Sequence, residues 1–286
     1  MTPERTTAAT SAPATRPPQS PQAAASGPSG QARPVGTNLV TIASGKGGVG
    51  KTWLSTTTAH ALARFGQKVL LFDGDFGLAN VDIQLGLAPV RDIASVIAQG
   101  APIRRAITHF ASGGFDIVAG KSGSGMLAAL GRPQVAALRN HLLDLSSDYD
   151  RILIDIGAGV DAAQTTFTTH GGITLVVTND EPTALTDAYA FIKIAAMRHN
   201  NPKLAVVINM ASSKAEGMRT YETLARACET FLKLKPPLAA IVRRDPKVRD
   251  SIRHQQPILL RHPTSGAARD AEGLAKFLLT VTANPG

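Results

Sequence analysis

Gly45-Lys46-Gly47-Gly48-Val49-Gly50-Lys51-Thr52 stands between the apolar run Leu39-Val40-Thr41-Ile42-Ala43 and a helix-forming stretch from Leu54 to Phe65. The octapeptide meets the phosphate-loop pattern GxxxxGK[ST], and the strand–loop–helix frame around it is the one that pattern requires. Glycines let the backbone curl with its N–H groups turned inward, and without Cβ atoms nothing obstructs a phosphate resting there. A helix opening near Lys51 adds its N-terminal partial positive charge. Lys51 is then placed to reach the β- and γ-phosphates and the Thr52 hydroxyl to ligate Mg²⁺, so the stretch reads as a nucleoside triphosphate site.

Outward from this loop, apolar runs alternate with helical stretches. Lys68–Phe72, Phe115–Ala119, Arg151–Ile156, Ile173–Thr178, Leu204–Asn209 and Leu238–Val242 read as strands, and Pro133–Leu145, Thr183–Met197 and Ala215–Leu232 as helices. Continuous apolar strands separated by helices predict an α/β fold with a mostly parallel, doubly wound sheet covered on both faces. Ligands of such sheets sit at the carboxyl ends of the strands. The phosphate loop and two acidic segments all fall at such ends.

The first acidic segment is Asp73-Gly74-Asp75-Phe76-Gly77-Leu78-Ala79-Asn80-Val81-Asp82, and the second begins at Asp155, which closes Arg151-Ile152-Leu153-Ile154. Asp155, followed by the pliable Gly157-Ala158-Gly159, fits the strand-end carboxylate that holds Mg²⁺. Asp75 suits the orientation of a water for in-line attack. Asp73 and Asp82 also suit helix or turn capping.

Composition narrows the classes further. The chain of 286 residues with 43% hydrophobic content is long enough for a full α/β core, and 5% aromatic content implies aliphatic, alanine-rich packing. A single cysteine, Cys228, permits no intrachain disulfide and no CxxC site, and the seven histidines are scattered. Metal chemistry therefore reduces to nucleotide-bound Mg²⁺. With no apolar run long enough to span a bilayer and no apolar signal core, the expected location is cytoplasmic. Residues 1 to 36 hold seven of the eighteen prolines and eight alanines, a composition that predicts a disordered tail ahead of one ATPase domain over 37–286.

GKGGVGKT, DGDFGLANVD and DIGAGV, in this order and strand context, resemble the deviant-Walker ATPases of the MinD/ParA (SIMIBI) superfamily. The resemblance runs from about Asn38 to the C-terminus. Within the superfamily, Gly77–Asp82 followed by Leu85-Gly86-Leu87, and Glu181-Pro182-Thr183-Ala184-Leu185-Thr186-Asp187-Ala188-Tyr189, look like the flagellar-number regulators of the FlhG/FleN/YlxH type.

This resemblance implies an ATP-dependent homodimer with slow ATP hydrolysis, regulating flagellar number or placement. It implies that Lys46 reaches the phosphates of the other subunit's nucleotide. At about 4 Å and an effective dielectric near 20, such an opposite-charge contact is worth roughly 4 kcal/mol before desolvation. It also makes Asp75 the residue that positions the hydrolytic water, Asp155 the residue near Mg²⁺, reached through water, and Asn209 the reader of the adenine edge. Partners implied are a signal-recognition-type GTPase or other flagellar regulators, and the inner face of the cell membrane.

The chain departs from its relatives in two places. No glutamine/arginine-containing activator helix is found in residues 1–36, and Val242-Arg243-Arg244-Asp245-Pro246 stands where relatives show a Pro and an acidic or aromatic residue. Leu274, Phe277, Leu278 and Val281 form one apolar helical stripe, which suits either a membrane surface or the core, with only Arg269 and Lys276 as nearby cations. Arg243, Arg244, Lys247, Arg249 and Arg253, with a net charge of +9, suit nonspecific DNA binding by a ParA-like partitioning ATPase, or a solvated face. A phosphotransferase on the same loop is a third class, and the iron-protein branch is disfavoured because the cysteines its cluster requires are absent.

Overall fold

Strand β1 (Leu39–Ala43) runs into the phosphate loop and helix α1 (Lys51–Arg64), and the chain then alternates β2 (Val69–Gly74), α2 (Val81–Leu85) and α3 (Ile93–Ala98). Strands β3 (Ile107–Phe110) and β4 (Phe115–Val118) follow as a hairpin, then α4 (Arg132–Leu145), β5 (Arg151–Ile156), α5 (Ala162–Thr166), β6 (Ile173–Thr178) and α6 (Pro182–Arg198). The remainder is β7 (Leu204–Ala211), α7 (Lys214–Leu232), β8 (Leu238–Arg243), α8 (Pro246–Arg253), α9 (Ile258–Arg261) and α10 (Gly266–Ala283). This computed structural model describes residues 1–3, 36–75, 79–88, 93–98, 100–120, 131–198 and 202–283. Most of the Pro/Ala-rich segment expected to be a disordered tail, and Phe76–Leu78 of the acidic motif, lie outside the described residues.

The eight strands form one sheet in the order β3-β4-β2-β5-β1-β6-β7-β8. Every pairing is parallel except that of β3 with β4. The mostly parallel, doubly wound sheet expected from the sequence is therefore the one observed. It follows from strands apolar on both sides: Leu70 and Phe72 of β2 belong to the core layer that also takes in α4, α6 and α7, while Val69 and Leu71 belong to the layer of α1 and α10. Because β1 lies between β5 and β6, the order reverses at the centre of the sheet, and the crevice opens above the carboxyl end of β1.

Strand β3 was not expected from the sequence. Ile107-Thr108-His109-Phe110 is short, half-exposed and on the sheet edge, so it carries no sustained apolar run. It is fixed by its hairpin partner, where Phe110 and Phe115 meet edge-on with ring centroids 5.4 Å apart.

The C-terminal stripe packs on the core. Leu274 and Leu278 are fully buried with Ala267, Ala271 and Ala275, which let α10 lie close against α1, and Phe277 and Val281 are partly buried on the same cluster. Among the described residues no helix is long and apolar enough to cross a membrane.

Candidate functional site

The loop between β1 and α1 borders a cleft of about 1100 Å³. Gly47, Gly48, Gly50, Lys51 and Thr52 line it from below, Asp75 and Gly157 from one side, and Asn209, Met210 and Arg244 from the other. The loop glycines serve two different needs. Gly50 holds φ at +86°, and a Cβ there would stand 2.5 Å from the Asn209 Nδ2, so both backbone and space demand glycine. Gly45 faces away from the cleft: a Cβ at that position would lie 2.2 Å from the Asp187 carbonyl oxygen of α6. Beside Gly47 and Gly48 a Cβ would meet nothing within 4 Å, which is the open cradle expected above a phosphate nest.

Lys51 is buried, and its Nζ donates to Ser44 Oγ at 2.8 Å; that hydroxyl in turn donates to the Lys46 carbonyl at 2.7 Å. Burial lowers the pKa of Lys51, and the charges of Asp155 and Asp75 oppose that shift. Asp155 is wholly buried at the end of β5. Its carboxyl is pushed up to about 6 by burial, against hydrogen bonds from Thr52 and Ser55 and the charge of Lys51. Ser55 Oγ donates to Asp155 Oδ1 at 3.1 Å, while Oδ2 is buried without a partner among the described residues. A carboxylate with one unsatisfied oxygen beside a threonine hydroxyl is a donor set that suits a hard cation such as Mg²⁺.

Asp73 sits opposite Asp155 in the β2–β5 register and is buried. Its Oδ1 accepts from the Asp75 N–H and its Oδ2 from the Val81 N–H, both at 3.2 Å, so it closes the loop that carries Asp75. The carboxyl is held well above its usual range, first by burial and then by Asp155. Of the two roles open to Asp73, the geometry is that of a loop brace.

Asn209 lies at the end of β7 against the phosphate loop, where its Nδ2 donates to the Val49 carbonyl at 2.8 Å. The adjacent Met210 has φ +58°, at an irregularity in the β7–β8 pairing, and also lines the cleft. Lys46 does not turn into its own cradle. Its Nζ lies 2.6 Å from Glu181 Oε2 and 2.7 Å from Thr183 Oγ1, at the start of α6, and its side chain is 35% exposed.

Glu181, Thr183 and Ser44 were not singled out as functional residues by the sequence, although Glu181 and Thr183 belong to a segment it quoted. Trp53 was also missed. It follows Thr52, is buried beside the cleft, and its Nε1 has no partner among the described residues; Gln84 Oε1, on the same wall, is in the same condition. The basic segment is divided: Arg243, bound to Asp270 at 2.8 Å, borders the cleft together with Arg244 and Arg249, and Lys247 and Arg253 are exposed away from it.

A parallel sheet reversing above a phosphate loop, with a buried lysine, a threonine and a strand-end carboxylate converging on the cleft, defines a P-loop nucleotide-binding protein. The chain belongs to the CobQ/CobB/MinD/ParA nucleotide-binding domain family, whose profile matches residues 40–258. It is 35% identical over 238 residues to the antiactivator FleN of Pseudomonas aeruginosa, covering 83% of this chain and 85% of that protein. To the flagellum site-determining protein YlxH of Helicobacter pylori it is 33% identical over 193 residues, 68% of this chain and 65% of that protein. Among solved structures it is similar to the septum site-determining protein MinD of Pyrococcus horikoshii complexed with Mg-ADP, with 26% identity and a TM-score of 0.70 over 84% of this chain and 94% of that one.

Proposed function

We propose that this protein is an ATP-dependent dimerisation switch with slow ATP hydrolysis that acts in the number or placement of flagella. The observation that carries the switch is the position of Lys46: next in sequence to Gly47 of the cleft lining, partly exposed, and fastened to Glu181 rather than turned into its own phosphate cradle. A lysine so placed is available to a nucleotide bound by a second copy. The flagellar assignment rests on the likeness to FleN and YlxH.

In this reading the glycine loop and the α1 N-terminus bind the phosphates, and Lys51 exchanges its Ser44 partner for the β- and γ-oxygens. Thr52 and, through water, Asp155 would hold Mg²⁺, which when bound would offset the charge that develops on the phosphates. Asp75 orients the attacking water, and Asn209, anchored on Val49, presents its remaining carbonyl to the adenine edge. Loss of the γ-phosphate removes the contact that Lys46 makes across the dimer, and the copies separate. Until then, the surface exposed in the dimer engages a flagellar regulator or signal-recognition-type GTPase, or the inner membrane face.

The solution mass of wild type, Lys46→Ala and Asp75→Ala with ADP and with ATP–Mg²⁺ tests the switch. An ATP-dependent dimer, longer-lived in Asp75→Ala and absent in Lys46→Ala, is expected; a monomer in every condition despite bound ATP overturns it. Flagellar counts after deletion of the gene in its host test the biological assignment.

A further inference from the structure

We propose that Gln164 is a second water-positioning residue, acting with Asp75 on the water that attacks the γ-phosphate. The proposal rests on the ATPase reading above. Gln164 lies on α5, directly after the Gly157–Asp161 loop, and lines the cleft together with Asp75, Gly157, Ala158 and Asp161. The point at which a Cβ of residue 157 would stand is 3.1 Å from Asp75 Oδ1 and 3.3 Å from the Gln164 amide. Glycine at 157 thus keeps a side chain out of the place where the Asp75 carboxylate and the Gln164 amide come close.

The orientation of that amide follows from its surroundings. Asp161 accepts the Gln164 backbone N–H at 3.3 Å, and its carboxylate oxygens also stand beside the side-chain amide, where only an amide nitrogen can bond to them. With Nε2 donating to Asp161 Oδ2 at 2.8 Å, Oε1 faces Gly157 and Asp75. Two acceptor oxygens then lie close together beside Gly157, on residues that line the same cleft as the phosphate loop.

A water has two protons to donate and needs a lone pair directed at phosphorus. One acceptor leaves it free to swing about that hydrogen bond; two acceptors fix the lone-pair direction. Asp75 and Gln164 supply the two, and Asp161 holds Gln164 in place. In the step itself an O–P bond forms between the water and the γ-phosphorus, and the bond from phosphorus to the β,γ-bridging oxygen breaks. ADP leaves with that electron pair, and the water's proton passes to Asp75 and from there to the released phosphate. Gln164 stays neutral throughout.

Phosphate release by the full-length chain tests this in wild type, Gln164→Leu, Gln164→Asn and Asp75→Ala, with ADP affinity and ATP-dependent mass measured alongside. Gln164→Asn keeps an amide but withdraws its carbonyl by one methylene. Both Gln164 variants are expected to lose about 10- to 100-fold in kcat with the KM for ATP and the ADP affinity within two-fold of wild type, and their ATP-dependent dimer to be longer-lived, as in Asp75→Ala. A kcat within two-fold of wild type in either variant overturns the proposal, and so does a parallel loss of nucleotide affinity, which is the mark of a structural role. Should Gln164→Leu fail to fold, Gln164→Asn decides alone. A wild type that does not hydrolyse ATP, or an Asp75→Ala variant with the wild-type rate, removes the ATPase reading and this inference with it. Loss in Asp75→Ala alone removes only the role of Gln164.

Discussion

Lys46 and Glu181, separated by 135 positions in the chain, meet at 2.6 Å beside the phosphate loop. The hydrogen bond from Lys46 is also the first cause of the lowered pKa of Glu181, ahead of the bond from Asn179. The ammonium that the proposed dimer needs is thus fastened to its own subunit before any second copy arrives.

Neutralising the latch should make the lysine easier to recruit. Exposed ion pairs are weak, so Glu181→Gln is expected to lower the protein concentration for half-dimerisation in ATP–Mg²⁺ by about two- to five-fold and leave it monomeric in ADP. Analytical ultracentrifugation across a concentration series measures this. A dimer weakened by Glu181→Gln would mean that the carboxylate serves the dimer rather than restrains it.

The two roles of the loop glycines separate experimentally. Gly47→Ala adds a methyl where nothing stands within 4 Å, so its melting temperature should match wild type while ADP binding is lost. Gly45→Ala drives a methyl into the Asp187 backbone, and is expected to cost about 1–3 kcal/mol in denaturant unfolding. Equal stability of the two variants would contradict the contacts described.

His170 predicts an acid sensitivity. It is partly buried, with Nε2 2.8 Å from Thr41 Oγ1 and Nδ1 accepting the Gly172 N–H at 3.0 Å, which fixes it as the neutral Nε2–H tautomer. Its pKa is lowered to about 4, first by burial and then by Arg139. A folded-state pKa below the unfolded value near 6.5 means that the unfolded chain takes up the proton first. The contribution is therefore complete above pH 6.5 and is lost as pH falls towards 4, by up to about 3 kcal/mol. His60, also lowered to about 4, has the same sign, and Asp155, raised, has the opposite one. The informative quantity is accordingly the stability difference between wild type and His170→Gln, which should narrow between pH 7 and pH 4.5.

Trp53 is the only tryptophan of the chain and borders the cleft one residue beyond Thr52. Intrinsic emission excited at the indole band is expected to change on titration with ADP–Mg²⁺ and to stay constant in Lys51→Ala. An emission spectrum indifferent to saturating nucleotide would place the ligand away from this wall.

Features within a few residues of one another were legible in the sequence. The phosphate loop, the strand-end acids and the apolar strands are short-range patterns with a geometric cause, and they led to the sheet and to one face of the cleft. Other features depend on approach between distant segments. Asn209 could be located at a strand end, but its bond to Val49, 160 residues away, follows from the β1-β6-β7 adjacency. Glu181 was visible within a recognisable segment without a physical task, because the task is to receive Lys46. Gln164 carried no local signal, since its interest lies in which way an amide turns beside Asp161. Strand β3 was missed because four residues on an edge owe their conformation to β4. The apolar stripe of α10 left two readings open that only its contact with α1 distinguishes.

Helix α1 is buried on every side from Ser55 to Leu62, between the sheet and the alanine-lined face of α10. A cylinder gripped all round cannot act as a lever. The phosphate-binding helix is instead the anvil of this protein, and whatever moves when the nucleotide changes must be the loops struck against it. Its backbone amides should accordingly be the last to exchange with deuterium in either nucleotide state, while those of residues 157–161 report which state is present.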